Sequence, residues 1–256
     1  MPRVARFNVT PVKSTLLHHP EEIRLEARGA VGDRRFFFVD AEGRRFSGAT
    51  KTPLLPIRAS YDEAEDRLEL RLPDGVVVSD SAAADGEALV VDFYGRPVAA
   101  HVVDGDFTEA LSRYAGREIH LARPDRDGEA IDVRPVTLVS LESVAELARQ
   151  GGHDGTLDPG RFRMTVEIEG VARPHEEDGW RGRRVQVGEA VLLIEDPVPR
   201  CVVTTLDPET AGRDFPTLRV IKDYRGLTER GQLPFGIYAS VAEPGTVRVG
   251  DPVEPS

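Results

Sequence analysis

Cysteine occurs once in the 256 residues, at position 201. One thiol excludes an intramolecular disulfide, and it excludes an iron–sulfur cluster or a thiolate zinc site held by this chain alone. Aromatic residues are scarce at 6%, so valine, leucine and alanine must fill most of any core. No apolar run approaches the roughly 20 residues of a membrane-spanning helix, so no membrane span is expected. The opening Met1-Pro2-Arg3-Val4-Ala5-Arg6 lacks the apolar stretch of a secretion signal, and a cytoplasmic location is the expectation. Basic residues are in deficit, with 33 Lys plus Arg against 44 Asp plus Glu and a net charge of -11. Such a surplus of carboxylates opposes binding to a phosphate backbone, so no nucleic-acid partner is expected. It leaves room for a small anion held in one basic pocket. There is no GxSxG, no Walker loop and no strand-linked GxGxxG, which removes the usual support for hydrolase, nucleotidase and dinucleotide-binding readings.

What is present is mainly strand. Arg35-Phe36-Phe37-Phe38-Val39-Asp40 is a short aromatic and β-branched run closed by the turn-like Ala41-Glu42-Gly43-Arg44. Arg67 to Leu72 alternates polar with apolar, and Pro73-Asp74-Gly75 turns it into Val76-Val77-Val78. Further strands are predicted over 88–93, 97–103, 165–168, 184–187 and 190–194. Gly and Pro punctuate them closely, a pattern of barrels or sandwiches rather than of repeated βαβ units. Two segments read as helix. The first is Phe107–Tyr114, between Asp106 as N-cap and Gly116 as stop. The second is Leu141–Gln150, after Ser140, with Leu141, Val144, Ala145, Leu147 and Ala148 on one face. The charged stretch Arg123-Pro124-Asp125-Arg126-Asp127-Gly128 is the best linker candidate. The expected architecture is β-dominated α+β, with two β-barrel-like domains over 1–122 and 123–256 and a few short helices.

Cys201 is the first residue with chemical potential. It follows Asp196-Pro197-Val198-Pro199-Arg200, a strand end stiffened by two prolines and carrying a guanidinium. A neighbouring cation favours the thiolate, the form that ligates soft metals and attacks electrophiles. A lone cysteine is otherwise a small buried hydrophobe. Basic residues in turn-like settings form the second group: Lys13-Ser14, Arg34, Arg134, Arg161, Arg163 and Arg225. Singly, each reads as a solvated side chain. Together, if they converge, they suit a phosphate, since arginine offers a planar fork and lysine a point charge. The histidines lack metal-ligand spacing. His175, beside Glu176, Glu177 and Asp178, suggests either a carboxylate-rich metal site or a solvated loop.

These segments, taken as a set, resemble the MOSC family, named for the C-terminal domain of molybdenum cofactor sulfurase, in its form with an N-terminal β-barrel domain. The N-terminal likeness lies in Pro11-Val12-Lys13-Ser14, Gly32-Asp33-Arg34-Arg35-Phe36 and Pro53-Leu54-Leu55. The more specific C-terminal part comprises Arg161-Phe162-Arg163, Glu177-Asp178-Gly179-Trp180, Pro199 to Pro208, Tyr224-Arg225, Phe235-Gly236-Ile237-Tyr238 and Pro244 to Val253. The resemblance implies binding of the molybdenum cofactor (molybdopterin with Mo), a pyranopterin dithiolene bearing a phosphate, and not of pyridoxal phosphate. In the reductase branch, which includes the amidoxime reducing components, the motif cysteine ligates molybdenum, and Cys201 matches it. By the same carry-over Lys13, Ser14, Arg34 and Arg163 correspond to pterin and phosphate contacts, with Arg134, Pro199, Arg200 and Tyr238 as further candidates. Two departures stand out. Arg163-Met164-Thr165 replaces the family's Arg-Pro-Asn, and Thr165 lacks the carboxamide that both donates and accepts. Gly48-Ala49-Thr50-Lys51-Thr52 stands where the family shows a Thr-x-Arg-like segment.

The function this implies is a molybdenum-dependent oxidoreductase that reduces N-hydroxylated or N-oxygenated small molecules. With one cysteine the chain carries no iron–sulfur relay, so electrons must come from a separate flavin, haem or ferredoxin protein. Two alternatives accompany it: sulfur transfer through a persulfide on Cys201, and a non-catalytic cofactor-binding module.

Overall fold

The computed structural model describes residues 1–46 and 54–256. Strands dominate. The largest sheet has seven, in the order Arg3–Phe7, Val166–Glu169, Val136–Ser140, Pro234–Glu243, Ala190–Pro199, Arg184–Val187 and Val253–Pro255. Neighbours run antiparallel except Val136–Ser140 with Val166–Glu169, which run parallel. The two outer strands approach each other through an Arg3–Pro252 bridge, with Val4 N–H donating to Asp251 O at 2.9 Å and Val253 N–H to Pro2 O at 2.9 Å. That contact nearly closes the sheet into a barrel around Val4, Phe7, Leu138, Val166, Ile168, Leu192 and Ile237. The first strand of the chain is therefore built into the sheet that holds the C-terminal residues.

A second sheet orders Arg45–Phe46, Phe37–Asp40, Ile119–Pro124, Arg96–Val102 and Ala88–Phe93. Beside it lie the meander Arg58–Asp62, Arg67–Arg71, Val77–Ser81 and the helix α1 (Phe107–Ala115). The run Phe36-Phe37-Phe38-Val39 is buried at every position because both faces of its strand are covered. Phe36 and Phe38 pack with Leu54, Ile57, Leu68, Leu111 and Leu121, while Phe37 and Val39 pack with Val91, Phe93 and Val98. A three-stranded sheet, Gly245–Arg248 with Glu22–Glu26 and Gly29–Ala30, joins the two ends of the chain.

Helix α2 (Leu141–Gln150) begins as expected, with Ser140 Oγ accepting from Ser143 N–H at 3.2 Å. It buries Val144, Leu147 and Ala148, whereas Leu141 and Ala145 face a groove. Asp106 occupies the cap position of α1 but makes no side-chain cap bond, and Gly116 ends that helix at φ 65°. A third helix, α3 (Thr217–Arg225), was not legible. Its cap residue is Pro216, and only Thr217, Val220 and Ile221 are buried among charged neighbours. The linker expected over 123–128 is partly strand: Arg123 pairs with His101 and Pro124 with Ala100. Among the described residues, no helix is long and apolar enough to cross a membrane.

Candidate functional site

Strand Ala190–Pro199 runs five residues beyond the expected end at Ile194. Prolines cannot donate to a ladder, and the register against Pro234–Glu243 shifts on either side of Pro197, which accommodates them. Pro199 sits opposite Pro234 and delivers the chain to Arg200 and Cys201. The thiol of Cys201 is exposed. The residue is extended (φ -123°, ψ -179°) and caps the 3₁₀ turn Val202–Thr205. Its carbonyl accepts from Thr204 N–H at 3.2 Å and from Thr204 Oγ1 at 3.0 Å.

Arg200 turns inward beside it. Its Nη2 donates to Phe162 O at 2.5 Å, its Nη1 lies 3.3 Å from Met164 Sδ, and its guanidinium sits 5.3 Å from the Phe162 ring centre. Arg200 Nε is sealed from solvent and has no hydrogen-bond partner among the described residues. Burial lowers the pKa of Arg200, and the proximity of Cys201 and Tyr238 counteracts part of that.

The basic residues converge. Lys13 follows a parallel bridge between Val12 and Phe36, its N–H donating to Phe36 O at 2.8 Å. Its Nζ donates to Asp132 Oδ1 at 2.5 Å, and Arg45 Nη1 lies 3.9 Å from the same oxygen. Arg34 pairs with Asp33 and donates from Nη2 to Arg163 O at 3.3 Å. Arg163 Nη2 donates to Thr15 O at 2.7 Å. No carboxylate lies within ion-pair distance of Arg163 among the described residues. Three of the expected residues hold left-handed backbone, Ser14 at φ 74°, Arg34 at φ 50° and Arg163 at φ 53°. Non-glycine residues pay about 1 kcal/mol or more for that conformation, and such strain collects at functional sites.

Burial is the main force on these charges. It lowers Lys13 to about 8, with Arg34 and Arg45 adding to the effect and Asp132 opposing it. Burial and Arg34 likewise push the Arg163 guanidinium below its ordinary value. For Asp132, lost hydration raises the carboxyl, but Lys13, Arg34 and Arg45 outweigh this and hold it at about 2. Tyr238 is buried on strand Pro234–Glu243, and burial raises its phenol to about 12.

A depressed lysine has a direct consequence for anion binding. Below about pH 8 Lys13 is protonated in the folded protein, and above it the cation is lost. Sulfate keeps a constant charge through this range. Its stabilisation of the protein at low millimolar concentration should therefore shrink between about pH 7 and pH 9, read as the shift in Tm. Lys13→Gln should flatten that dependence.

The expected residues differ in how they sit. Arg134 is half-exposed and its Nε pairs with Glu195, while its charge reaches Tyr238. Thr165 is buried and its amide donates to Thr137 Oγ1 at 2.9 Å, with the two hydroxyls 3.2 Å apart, so its hydroxyl is spent inside the sheet. Pro53 and the segment Gly48–Thr52 lie outside the described residues. The His175 segment is neither a solvated loop nor a metal site. Glu177 is fully buried and accepts from Ser140 N–H at 3.1 Å, Ser140 Oγ at 2.9 Å and Ser143 Oγ at 2.8 Å. Arg225 Nη1 donates to His175 Nδ1 at 2.8 Å, which leaves Nε2–H to donate to the Tyr224 oxygen at 3.1 Å. Burial, helped by Arg225, pushes His175 down to about 4, so the ring is neutral near pH 7. No cluster of three potential metal ligands among His, Cys, Asp and Glu occurs among the described residues.

Three residues of the cluster had no sequence signal beyond their turn setting: Asp132, Arg45 and Tyr94. Arg45 stacks 4.2 Å from the ring centre of Tyr94, which is 58% exposed and held at φ 57° in the two-residue hairpin turn before Gly95. Tyr94 is close enough to Cys201, Asp132 and Tyr238 to feel their charges. A separate groove of about 600 Å³ lies between α2 and strand Arg3–Phe7, lined by Val144, Ala148, Leu157 and Arg6 among others, and none of the expected site residues reaches it.

Residues 117–254 match the family model of the MOSC domain, and residues 1–102 match that of the MOSC N-terminal beta barrel domain. The chain is 38% identical over 280 aligned positions to mitochondrial amidoxime-reducing component 1 of Mus musculus, covering 98% of this chain and 81% of that protein. It is 26% identical to mitochondrial amidoxime reducing component 2 of Bos taurus, covering 88% and 73%. It is also 25% identical to the molybdenum cofactor sulfurase of Caenorhabditis elegans, covering 93% of this chain but 33% of that protein.

Proposed function

The chain belongs to the MOSC domain family, and from that premise we propose that it is a molybdenum-cofactor-dependent reductase of small N-hydroxylated or N-oxygenated compounds. The supporting observation is that Lys13, Arg34 and Arg163, from both halves of the chain, gather around Asp132, whose charge also reaches Arg200 beside the exposed Cys201. The fit to an anionic pterin can be argued from the cations themselves. Arg163 has no ion-pair partner among the described residues, and Arg200 Nε is buried with no acceptor. Partly buried cations that feel carboxylates only at a distance, without a direct ion pair, are costly, and an incoming phosphate supplies acceptors in contact.

In this reading Cys201 holds the metal through Sγ, while Lys13, Ser14, Arg34 and Arg163 hold the phosphate and pterin. The bound cofactor supplies the reduction of the substrate N–O bond, with electrons from a separate protein. The protein's part is placement and protonation. Lys13, protonated below about pH 8, donates from Nζ to Asp132 Oδ1 at 2.5 Å, next to where the anion would sit. Tyr238, raised to about 12, keeps its proton and serves as a donor rather than a base. Tyr94 and Arg45 stand at the exposed rim.

The test is elemental analysis of protein freshly purified from a host that makes the cofactor, followed by turnover of an N-hydroxylated amidine with a chemical reductant. Stoichiometric molybdenum with turnover is expected. Absence of molybdenum defeats the cofactor assignment, and molybdenum without turnover defeats the substrate assignment alone. A second reading, sulfur transfer, is favoured by the exposed Cys201 and by the sulfurase relative. It predicts a mass gain of one sulfur on Cys201 after incubation with a cysteine desulfurase and free cysteine.

A further inference from the structure

Arg161 stands two residues before Arg163 in one tripeptide, yet it takes no part in the cationic cluster. Its side chain is 1% exposed. Nη1 and Nη2 form a two-pronged pair with Asp214, at 3.1 Å to Oδ1 and 2.7 Å to Oδ2. Nε donates to Asp158 O at 3.2 Å, and Nη1 also reaches Thr204 O at 3.3 Å. The Phe215 ring covers the guanidinium, 5.7 Å from centre to centre. A buried guanidinium with four of its five N–H donors engaged is poorly placed to take a ligand, but it is well suited to fastening backbone.

What it fastens is the turn that Cys201 begins. Thr204 O accepts from Arg161 Nη1 and from Thr217 Oγ1, the latter at 2.5 Å from the first residue of α3. Thr204 in turn donates twice to the carbonyl of Cys201. On the other flank Phe162, the next residue, holds Arg200 through its carbonyl and its ring. The short 3₁₀ turn Pro159–Phe162 thus grips the chain on both sides of Cys201.

We propose that Arg161 is a positioning residue, acting through Asp214 and Thr204, that fixes the orientation of Cys201 and so governs the reactivity of its thiol. This holds whether the sulfur ligates a metal or accepts another sulfur, and it does not depend on the cofactor assignment. Releasing the clamp lets the Val202–Thr205 turn sample more orientations, so the already exposed thiol meets a reagent in more of the approach geometries that reaction needs.

The experiment measures the rate of Cys201 alkylation by iodoacetamide, followed by mass spectrometry of the intact full chain between about pH 6 and pH 9. Arg161→Met and Asp214→Asn should each raise the rate about threefold or more across the range, a modest effect for a misplaced reactive group. Arg161→Lys should behave like Arg161→Met, because lysine restores the charge but not the fork. Arg6→Met is the control. Arg6 braces the same turn from its other side, through Asp158 and Glu167, without touching Thr204. It should lose stability and keep the wild-type alkylation profile. The proposal is overturned if Arg161→Met and Asp214→Asn are folded by circular dichroism and alkylate at the wild-type rate. Should Arg161→Met not fold, Asp214→Asn and Thr217→Val carry the same comparison, since the latter removes the other bond to Thr204 O.

Discussion

Cys201→Ser should purify as a folded protein and arrive with at least about 100-fold less molybdenum than the wild type. Losses of 10- to 100-fold accompany changes to groups that merely support a metal's ligands, so replacing the ligand itself should exceed them. A serine hydroxyl is a hard, neutral donor with little affinity for a soft metal. Stability should change by no more than about 0.5 kcal/mol, because the thiol is exposed and supports no core. Metal analysis beside a urea denaturation curve checks both halves. Retention of molybdenum in the serine variant would sink the assignment of Cys201 as ligand.

Phe235→Ala should be the most destabilising single substitution near the site, by about 3–5 kcal/mol. Phe235 is fully buried and stacks on Phe162 with ring centres 4.4 Å apart at 16°. The edge contact of His175 lies 5.5 Å away and the Arg225 guanidinium 6.0 Å away. The Arg200 guanidinium lies 5.3 Å from the centre of the Phe162 ring, so each ring of the stacked pair has a guanidinium beside it. Removing the Phe235 ring opens a cavity bounded by the Phe162 ring, the His175 edge and the Arg225 guanidinium. Against a typical stability of about 5–15 kcal/mol, such a loss is large. A fall in the urea midpoint without a change in slope is the expected result, whereas a loss below about 1 kcal/mol would show that the stack collapses to close the gap.

The extent of the fold that could be read from sequence follows from the length of each signal. Arg67–Leu72 alternates over six residues and appears as strand Arg67–Arg71. Leu141–Gln150 carries both a serine cap and a helical stripe, and it forms with those bounds. The α3 helix escaped because a one-sided stripe of three buried residues, capped by proline, does not rise above the charged positions around it. Proline normally ends a ladder, so sequence predicts a stop at Ile194, and only the register shifts against Pro234–Glu243 allow the strand to continue through Pro197 and Pro199.

The residues of the site divide in the same way. Local chemistry singled out Cys201, Lys13 and Arg163, and the resemblance assigned them related roles. Sequence also set the number of thiols, the excess of negative charge and, through the single cysteine, the lack of an iron–sulfur relay held by this chain alone. Tertiary structure alone decided which cations meet. Arg161 and Arg163 are two residues apart and equally basic on paper. The turn between them sends one guanidinium into Asp214 and Thr204 O and the other to Thr15 O, within reach of the Arg34 charge. Asp132 and Arg45 entered the cluster with no motif, because what places them beside Lys13 is the packing of a loop and a hairpin from distant parts of the chain. Sequence specifies the donors and acceptors, whereas direction is set by backbone torsions and long-range contacts that no local pattern encodes.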